Sequence, residues 1–179
     1  MKVDATIIQI NDAKNNPLRR IAEEVLPTEF ATEALEQIIN AMQTALSQEE
    51  DGVALAAPQI GVSKRIFVIS PTAYEEGTKL KPLVFINPKI TKTSKKTREM
   101  QEGCLSVRWI YGTTERHIAV TVSAYDSNGK KFTYGASGLI AHIFQHEIDH
   151  LDGILFVDHG HDFEEYASEE DFKNRKNKK

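Results

Sequence analysis

The chain of 179 residues has a single cysteine, Cys104, which excludes an internal disulfide. An unpaired cysteine is typical of a reducing compartment. No apolar run approaches the roughly 20 residues of a membrane-spanning helix. The start, MKVDATIIQI, lacks the basic segment and apolar stretch of a leader peptide. We therefore expect a cytoplasmic protein, or an organellar one in a eukaryotic host, with no membrane partner.

An excess of positive charge is also absent. Lysine and arginine number 22 against 26 acidic residues, giving a net charge of −4. This balance argues against a large nucleic-acid surface, and we expect no specific DNA partner. Basic residues gather only in KNRKNKK, residues 173–179. That run is expected to be solvated, with a contact to the ribosome as the alternative.

No internal repeat and no Pro/Gly/Ser linker divides the chain. An apolar content of 40% is ordinary for a globular protein, and the length suits one domain. We therefore predict a single domain over residues 1–165. The charged remainder, residues 166–179, is predicted to be a tail that is helical or disordered.

Hydrophobic periodicity and turn residues predict the secondary structure. Residues 126–129, DSNG, read as a hairpin turn, and Gly153 closes the last helix. Because the strands are not each followed by a crossover helix, the pattern favours an α+β fold with mainly antiparallel sheet. The predicted elements are helices at 17–25, 32–48 and 138–152, and strands at 65–70, 83–91 and 118–125.

The helix at 138–152 carries most of the chemistry. His142, His146 and His150 recur every fourth residue, and two acids, Glu147 and Asp149, lie between the last two histidines. The rest of the helix is apolar, so these groups are buried and need partners. HEIDH, residues 146–150, is the H-E-x-x-H pattern, in which two histidines bind one divalent ion and the glutamate takes a proton from water.

A hydrolytic metal site usually has a third protein ligand. A histidine six residues after His150 would supply it in one class of protease, but Phe156 stands there. Cys104 is a further candidate, although an inert buried thiol or a nucleophile are alternatives. Acidic candidates lie downstream in a stretch that looks exposed, and they are Glu164, Glu165, Glu169 and Glu170.

Three stretches together resemble the peptide deformylase family. They are GVALAAPQIG at 52–61, EGCLS at 102–106 and QHEIDHLDG at 145–153, and the resemblance extends over roughly residues 5–160. It implies an α+β fold with mainly antiparallel sheets packed around a central metal-binding helix. It also implies a catalytic domain that removes the N-formyl group from the initiator methionine of nascent polypeptides and releases formate.

The resemblance also implies roles for individual residues. Cys104, His146 and His150 would hold one divalent metal, and Glu147 would act as general base and then acid. Softness alone permits Zn²⁺, Fe²⁺ or Co²⁺ on a thiolate and two imidazoles. The family points to Fe²⁺ as the working ion, with Zn²⁺ or Ni²⁺ as substitutes.

Further roles follow from the first two stretches. The side-chain amide of Gln59 and the backbone N–H of Leu105 would donate hydrogen bonds to the developing oxyanion. Gly52, Val53 and Ala54 would face the substrate.

Three other residues are hypothesised to support the ligands. Asp149 would orient a ligating group or pair with a basic residue such as Arg116, and Glu102 would support the cysteine loop.

Three residues depart from the family's pattern. Ala54 replaces a usual glycine, and Arg108 replaces a frequent proline within a loop expected at 107–115. His142 replaces an apolar residue of the methionine pocket. It lies about 12 Å along the helix from His150, too far to share its ion. We expect His142 to line the substrate pocket or to be a hydrogen-bonded core histidine.

Two alternatives to the deformylase remain at this point. One is a zinc endopeptidase of the H-E-x-x-H type with a downstream acidic ligand. The other is a deformylase-like protein that is non-catalytic or has altered specificity, which the three departures keep open.

Overall fold

Eight β-strands and three α-helices form the described part of the chain, residues 4–12, 16–78 and 83–176 of a computed structural model, with side chains described up to residue 174. Five strands make an antiparallel sheet in the order β1, β2, β3, β6, β7. They are β1 (Ala54–Ala56), β2 (Ile66–Ile69), β3 (Val84–Thr93), β6 (Ala119–Tyr125) and β7 (Lys131–Ser137).

A smaller antiparallel sheet holds the other three strands in the order β4, β5, β8. They are β4 (Thr97–Cys104), β5 (Val107–His117) and β8 (His161–Glu165). The helices are α1 (Glu33–Ser47), α2 (Gly138–Leu151) and α3 (Glu169–Lys176). The predicted α+β class with mainly antiparallel sheet is confirmed.

Helix α1 forms where the periodicity predicts it. Thr32 caps it by accepting the Leu35 N–H on its side-chain oxygen at 3.3 Å. Its buried face, which includes Ile39 and Met42, packs on the five-stranded sheet near β1. The helix thereby supports the loop that leads into β1.

Helix α2 contacts β1, β2, β6 and β7 of the larger sheet and β5 of the smaller one. Its Phe144 ring lies 5.0 Å from Phe85 and 6.0 Å from Phe67, between ring centroids. The helix ends before Gly153, which has φ 74°, and a Cβ there would lie 3.0 Å from the Arg19 backbone. This packing turns the polar face of α2 toward β4 and β5.

A wide bulge interrupts the β4–β5 pairing next to Cys104. Gly103 pairs with Tyr111 and Cys104 pairs with Val107, so residues 108–110 have no partner on β4. Trp109 within this bulge has φ 64°, a left-handed conformation that is rare for a bulky residue. The bulge directs Arg108 and Trp109 toward the cleft described below.

The predicted helix at 17–25 is wrong beyond its first turn. Only Pro17–Arg19 is helical, as a 3₁₀ turn, and Arg20 is extended. The Ala22 N–H donates to the Leu151 carbonyl at 2.8 Å, and Glu23 bridges to Lys64. Backbone bonds to distant segments therefore replace the local helical ones.

The expected loop at 107–115 is also wrong, because these residues belong to β5. Strands β1, β4 and β8 were not predicted either. Half of the β4 residues and all of the β8 residues are exposed, and all of these except Phe163 are polar or charged, so the alternation that indicates a strand is missing from the sequence. Among the described helices, none combines the length and apolar character needed to cross a membrane.

Candidate metal centre and catalytic cleft

Cys104, His146 and His150 each place one ligand atom in a common cluster. Their sulfur and nitrogen atoms all lie within 4.8 Å of one another, and Cys104 Sγ is 3.1 Å from His150 Nε2. Helix α2 supplies the two histidines one turn apart, and the end of β4 supplies the thiol. The structure thus joins residues that are more than 40 positions apart in the sequence.

The cluster fits a divalent metal ion. A four-coordinate ion with ligand bonds of about 2.0–2.3 Å holds its ligand atoms about 3.3–3.6 Å apart, close to the 3.1 Å between Cys104 Sγ and His150 Nε2. Burial lowers the pKa of His150 well below its usual range, which favours the neutral ring that a ligand requires. The downstream acids Glu164, Glu165, Glu169 and Glu170 are not in this cluster of described residues.

Glu102 is a buried carboxylate that connects the ligands to the rest of the fold. Its oxygens accept hydrogen bonds from His146 Nδ1, from His142 Nε2 at 2.6 Å and from Thr114 Oγ1 at 2.5 Å. Arg116 adds two more, at 2.9 and 3.2 Å. Because Nδ1 of His146 is engaged in this way, its Nε2 is left to face the cluster.

Glu102 remains ionised in this position. Burial alone would raise its pKa, but the hydrogen bonds from His142 and His146 and the Arg116 guanidinium hold the pKa well below its usual range. Arg116 also pairs with Asp149 at 2.6 Å. The three supporting residues proposed from the sequence therefore form one network, in which Glu102 directly contacts the candidate ligand His146.

We expect Glu102→Gln to weaken metal binding by about 10- to 100-fold, the usual cost of losing a partner of a ligating histidine. An amide cannot accept hydrogen bonds from two histidines and an arginine at once. The measurement is a competition titration with a chromogenic chelator. Glu99→Gln is the matched control, since Glu99 lies on the same strand with its side chain 68% exposed. Equal metal affinity in the two variants would contradict this role for Glu102.

Glu147 lies on α2 directly after His146 and is 3% exposed. Its Oε2 has no hydrogen-bond partner among the described residues. Burial raises the pKa of this carboxyl to about 7. A carboxyl in this range can both accept and return a proton near neutral pH.

Gln59 is held with its amide nitrogen toward the cluster. The Ala56 N–H donates to Gln59 Oε1 at 2.8 Å, which fixes the orientation of the amide. Its Nε2 then points to Ser106 Oγ at 3.1 Å and to Cys104 Sγ at 3.7 Å. Ser106, fully buried in EGCLS, is a site residue that the sequence reasoning missed.

Leu105 lies in the two-residue turn between Cys104 and Val107. Its carbonyl accepts a hydrogen bond from Gln9 Nε2 at 3.0 Å, which anchors the turn. Its N–H has no hydrogen-bond partner among the described residues. The turn therefore presents a backbone donor next to the thiol ligand.

A cleft of about 370 Å³ contains these groups. Gly52, Val53 and Ala54 line one wall, and β1 is the edge strand of its sheet. A Cβ on Gly52 would lie 2.9 Å from Leu46 Cδ1, so packing of the loop on α1 also requires this glycine. An open strand edge beside a cluster of ligands is suited to pair with an extended peptide.

His142 lines this cleft and is also hydrogen-bonded to Glu102. The two alternatives predicted for it, a pocket residue and a hydrogen-bonded core histidine, therefore both describe it. It is 6% exposed, and it is not a member of the ligand cluster. Its Nε2–H donates to the ionised Glu102, and its Nδ1 has no described partner. The imidazole therefore places a polar atom at the cleft wall.

Two further residues at the cleft were missed as site residues. Arg108 pairs with Glu49 and, at 3.2 Å, with Asp51, and so joins the β5 bulge to the loop before β1. Phe172 of α3 also lines the cleft. The sequence offered no signal for Phe172, since it lies in a segment that reads as a charged tail.

One cysteine and two histidines that could hold a metal ion, next to a buried carboxyl whose pKa is raised to about 7, are the groups expected of a metal-dependent hydrolase. Known proteins specify the class further. Residues 6–166 match the model of the family described as polypeptide deformylase. Peptide deformylases from Desulforudis audaxviator and Rhizobium meliloti are 41% and 40% identical, covering 85% and 79% of this chain and 92% and 70% of theirs.

A crystal structure of the class I type b peptide deformylase from Acinetobacter baumannii with bound Met-Ala-Ser has the same fold. Its TM-score is 0.74 at 32% identity, over 87% of this chain and 99% of that one. The chain belongs to the polypeptide deformylase family. It is accordingly a metal-dependent amidohydrolase that removes N-terminal formyl groups, and the predicted family, fold class and enzyme class are confirmed.

Proposed function

We propose that this chain hydrolyses the formamide of N-formylmethionyl peptides with Cys104, His146 and His150 holding one divalent ion. The observation that carries the proposal is the cluster of three ligand atoms within 4.8 Å, beside a buried Glu147 whose Oε2 has no described partner. Bound there, the ion would supply an activated water and a positive charge at the scissile carbonyl.

Glu147 then moves the proton. Its carboxylate accepts a proton from the attacking water and delivers it to the departing amine nitrogen. Burial in the cleft raises the pKa of this carboxyl to about 7, so that it can both accept and donate the proton near neutral pH. The products are formate and a peptide with an unblocked N-terminus.

Gln59 and Leu105 stabilise the oxygen that becomes negative during this step. Gln59 Nε2 and the Leu105 N–H are both beside Cys104, and removing one such donor typically costs about 10²–10³ in rate. Gln59 would exchange its weak 3.7 Å contact with sulfur for a bond to this oxygen. Ser106 retains the second N–H of the amide and so holds it in place.

Gly52, Val53 and Ala54 are proposed to bind the substrate backbone along the open edge of β1. The Acinetobacter baumannii protein has been crystallised with Met-Ala-Ser bound. The Ala54 side chain is 7% exposed and packs in the core cluster beneath the sheet. Its methyl group therefore leaves the strand edge open.

Fe²⁺ is the proposed working ion, with Zn²⁺ or Ni²⁺ able to replace it, because a thiolate and two imidazoles accept all three. The proposed substrates are nascent polypeptides in the cytoplasm or in an organelle. The basic run at 173–179 is proposed to contact ribosomal phosphates through its lysines and arginine. Residues 177–179 lie outside the described residues.

The experiment is formate release from formyl-Met-Ala-Ser by protein purified anaerobically and reloaded with Fe²⁺ or Ni²⁺. Formate release that depends on the metal and is abolished by Glu147→Ala supports the proposal. Stoichiometric metal with no formate release would contradict it and would require a screen of other N-acyl peptides.

His142 is proposed to form part of the pocket for the methionine side chain. We expect His142→Leu to make that pocket more apolar and to raise kcat/KM for formyl-norleucine-Ala-Ser relative to formyl-Met-Ala-Ser by about 5- to 10-fold. Glu102 keeps its bonds to His146 and Arg116 in this variant. His161→Leu is the control, because His161 is 50% exposed on β8. A ratio that is the same in both variants would exclude His142 from the pocket.

A further inference from the structure

Phe172 is the one large apolar side chain of α3, whose sequence is EEDFKNRK. Its ring stacks on Tyr111 with centroids 4.7 Å apart and planes at 12°. It also meets the edge of Tyr166 at 5.1 Å and lies 6.3 Å from Trp109. The rings of Trp109, Tyr111 and Tyr166 therefore surround the Phe172 ring of α3.

This contact fixes where α3 lies. A polar helix of eight residues is only marginally stable by itself, so its position must come from packing. The Tyr166 N–H donates to the Trp109 carbonyl at 2.9 Å, which ties the chain to the β5 bulge just before α3 begins. Phe172 then anchors the helix itself on the sheet.

The aromatic stack begins next to a metal ligand. A Cβ on Gly103 would lie 2.6 Å from the Tyr111 ring, so that ring lies directly on the backbone that precedes Cys104. Phe172 covers the other side of the same ring. Going outward from the candidate metal centre, the backbone at Gly103 is followed by the Tyr111 ring and then by the Phe172 ring.

One cleft joins the candidate metal centre to these aromatic residues. Phe172, Trp109 and Tyr111 line the same cavity as Cys104 and Glu147. Arg108, whose guanidinium lies 5.5 Å from the Trp109 ring, is paired with Glu49 and Asp51 of the loop before β1. The outer cleft is thus aromatic, and the charges nearest to it are already paired.

We propose that Phe172, together with Trp109 and Tyr111, forms a subsite for an apolar side chain of the substrate, at the second or third residue after the N-terminus. The proposal rests on the proposed function, because the substrate must enter the cleft as a formyl-methionyl peptide. An extended peptide advances about 3.3–3.6 Å per residue, so its later residues leave the metal centre along the cleft. Aromatic walls favour aromatic or large aliphatic partners over small polar ones.

The test compares kcat/KM for matched peptides with the metal-loaded full chain. One pair is formyl-Met-Phe-Ser and formyl-Met-Gly-Ser, and the other is formyl-Met-Ala-Phe and formyl-Met-Ala-Gly. We expect the unmodified protein to prefer phenylalanine in at least one pair by about 10-fold, mainly through KM. In Phe172→Ala this ratio should fall to about 2-fold, and Phe172→Leu should lie between the two.

Lys173→Ala is the matched control on the same helix. Its side chain is 60% exposed and pairs with Glu169 four residues earlier. This variant should keep the preference of the unmodified protein. It separates loss of the Phe172 ring from a general disturbance of α3.

Two results would overturn the subsite. They are no preference for phenylalanine in the unmodified protein and an unchanged ratio in Phe172→Ala. An unchanged ratio that comes from an equal fall for both members of a pair would mean that Phe172 only supports the fold. An unmodified, metal-loaded protein that releases no formate from any peptide would instead contradict the proposed function.

Discussion

Glu147→Gln is expected to lower kcat for formyl-Met-Ala-Ser by about 10²–10⁴, the usual contribution of a general acid–base group. The amide has nearly the shape of the carboxyl but cannot accept the proton of the attacking water. Metal content should stay at one ion per chain, because Cys104, His146 and His150 are unchanged. The measurements are steady-state formate release and elemental analysis of the same sample.

The control for this variant is Glu36→Gln, the same change at an exposed position of α1. It should retain full activity. A Glu147→Gln enzyme that works within threefold of the unmodified one would remove Glu147 from the proton transfer. A variant that loses its metal would show instead that the carboxyl supports the ligand cluster.

Cys104→Ala is expected to weaken metal binding by more than about 100-fold, beyond the range typical of partners that only support a ligand. The thiol is one of three described ligand atoms, and its removal leaves His150 Nε2 without its 3.1 Å neighbour. Activity without excess metal should fall below detection. The measurement is metal stoichiometry after gel filtration, together with formate release over a range of added Ni²⁺.

The single cysteine makes a second readout available, since alkylation of the protein can report only on Cys104. Metal should protect the thiol from iodoacetamide, and chelation should restore its reactivity. Cys104→Ser is a companion variant, because serine has nearly the size of cysteine but its oxygen is a harder metal ligand than sulfur. A Cys104→Ala protein that keeps its metal would point to an acidic third ligand, as in the endopeptidase alternative.

The helical part of the site was accessible from the sequence because its spacing is local. A period of 3.6 residues places His146 and His150 on one face of α2, and an apolar surround predicts that the face is buried. The family motifs then supplied Cys104 and Gln59. Helix α1 and the strand that contains Phe85 were predicted for the same reason, that their signals lie within one segment.

The rest of the site depends on contacts between distant segments. Nothing local shows that Glu102 accepts from both His142 and His146, or that Ser106 holds Gln59. The β5 bulge was missed since residues 107–115 contain no alternating pattern. Its path is set by pairing with β4 and β8.

The bulge has one more consequence, because Trp109 is the only tryptophan of the chain. It is half-buried, and it lines the cleft with a charged guanidinium 5.5 Å from its ring. The tryptophan emission of the protein therefore comes from one fluorophore at the substrate cleft. A peptide that enters should change the polarity around the indole and shift its emission, so an unlabelled titration can follow binding in Glu147→Gln, where turnover is suppressed. Emission that does not respond to a saturating peptide would mean that the substrate leaves the cleft without passing Trp109.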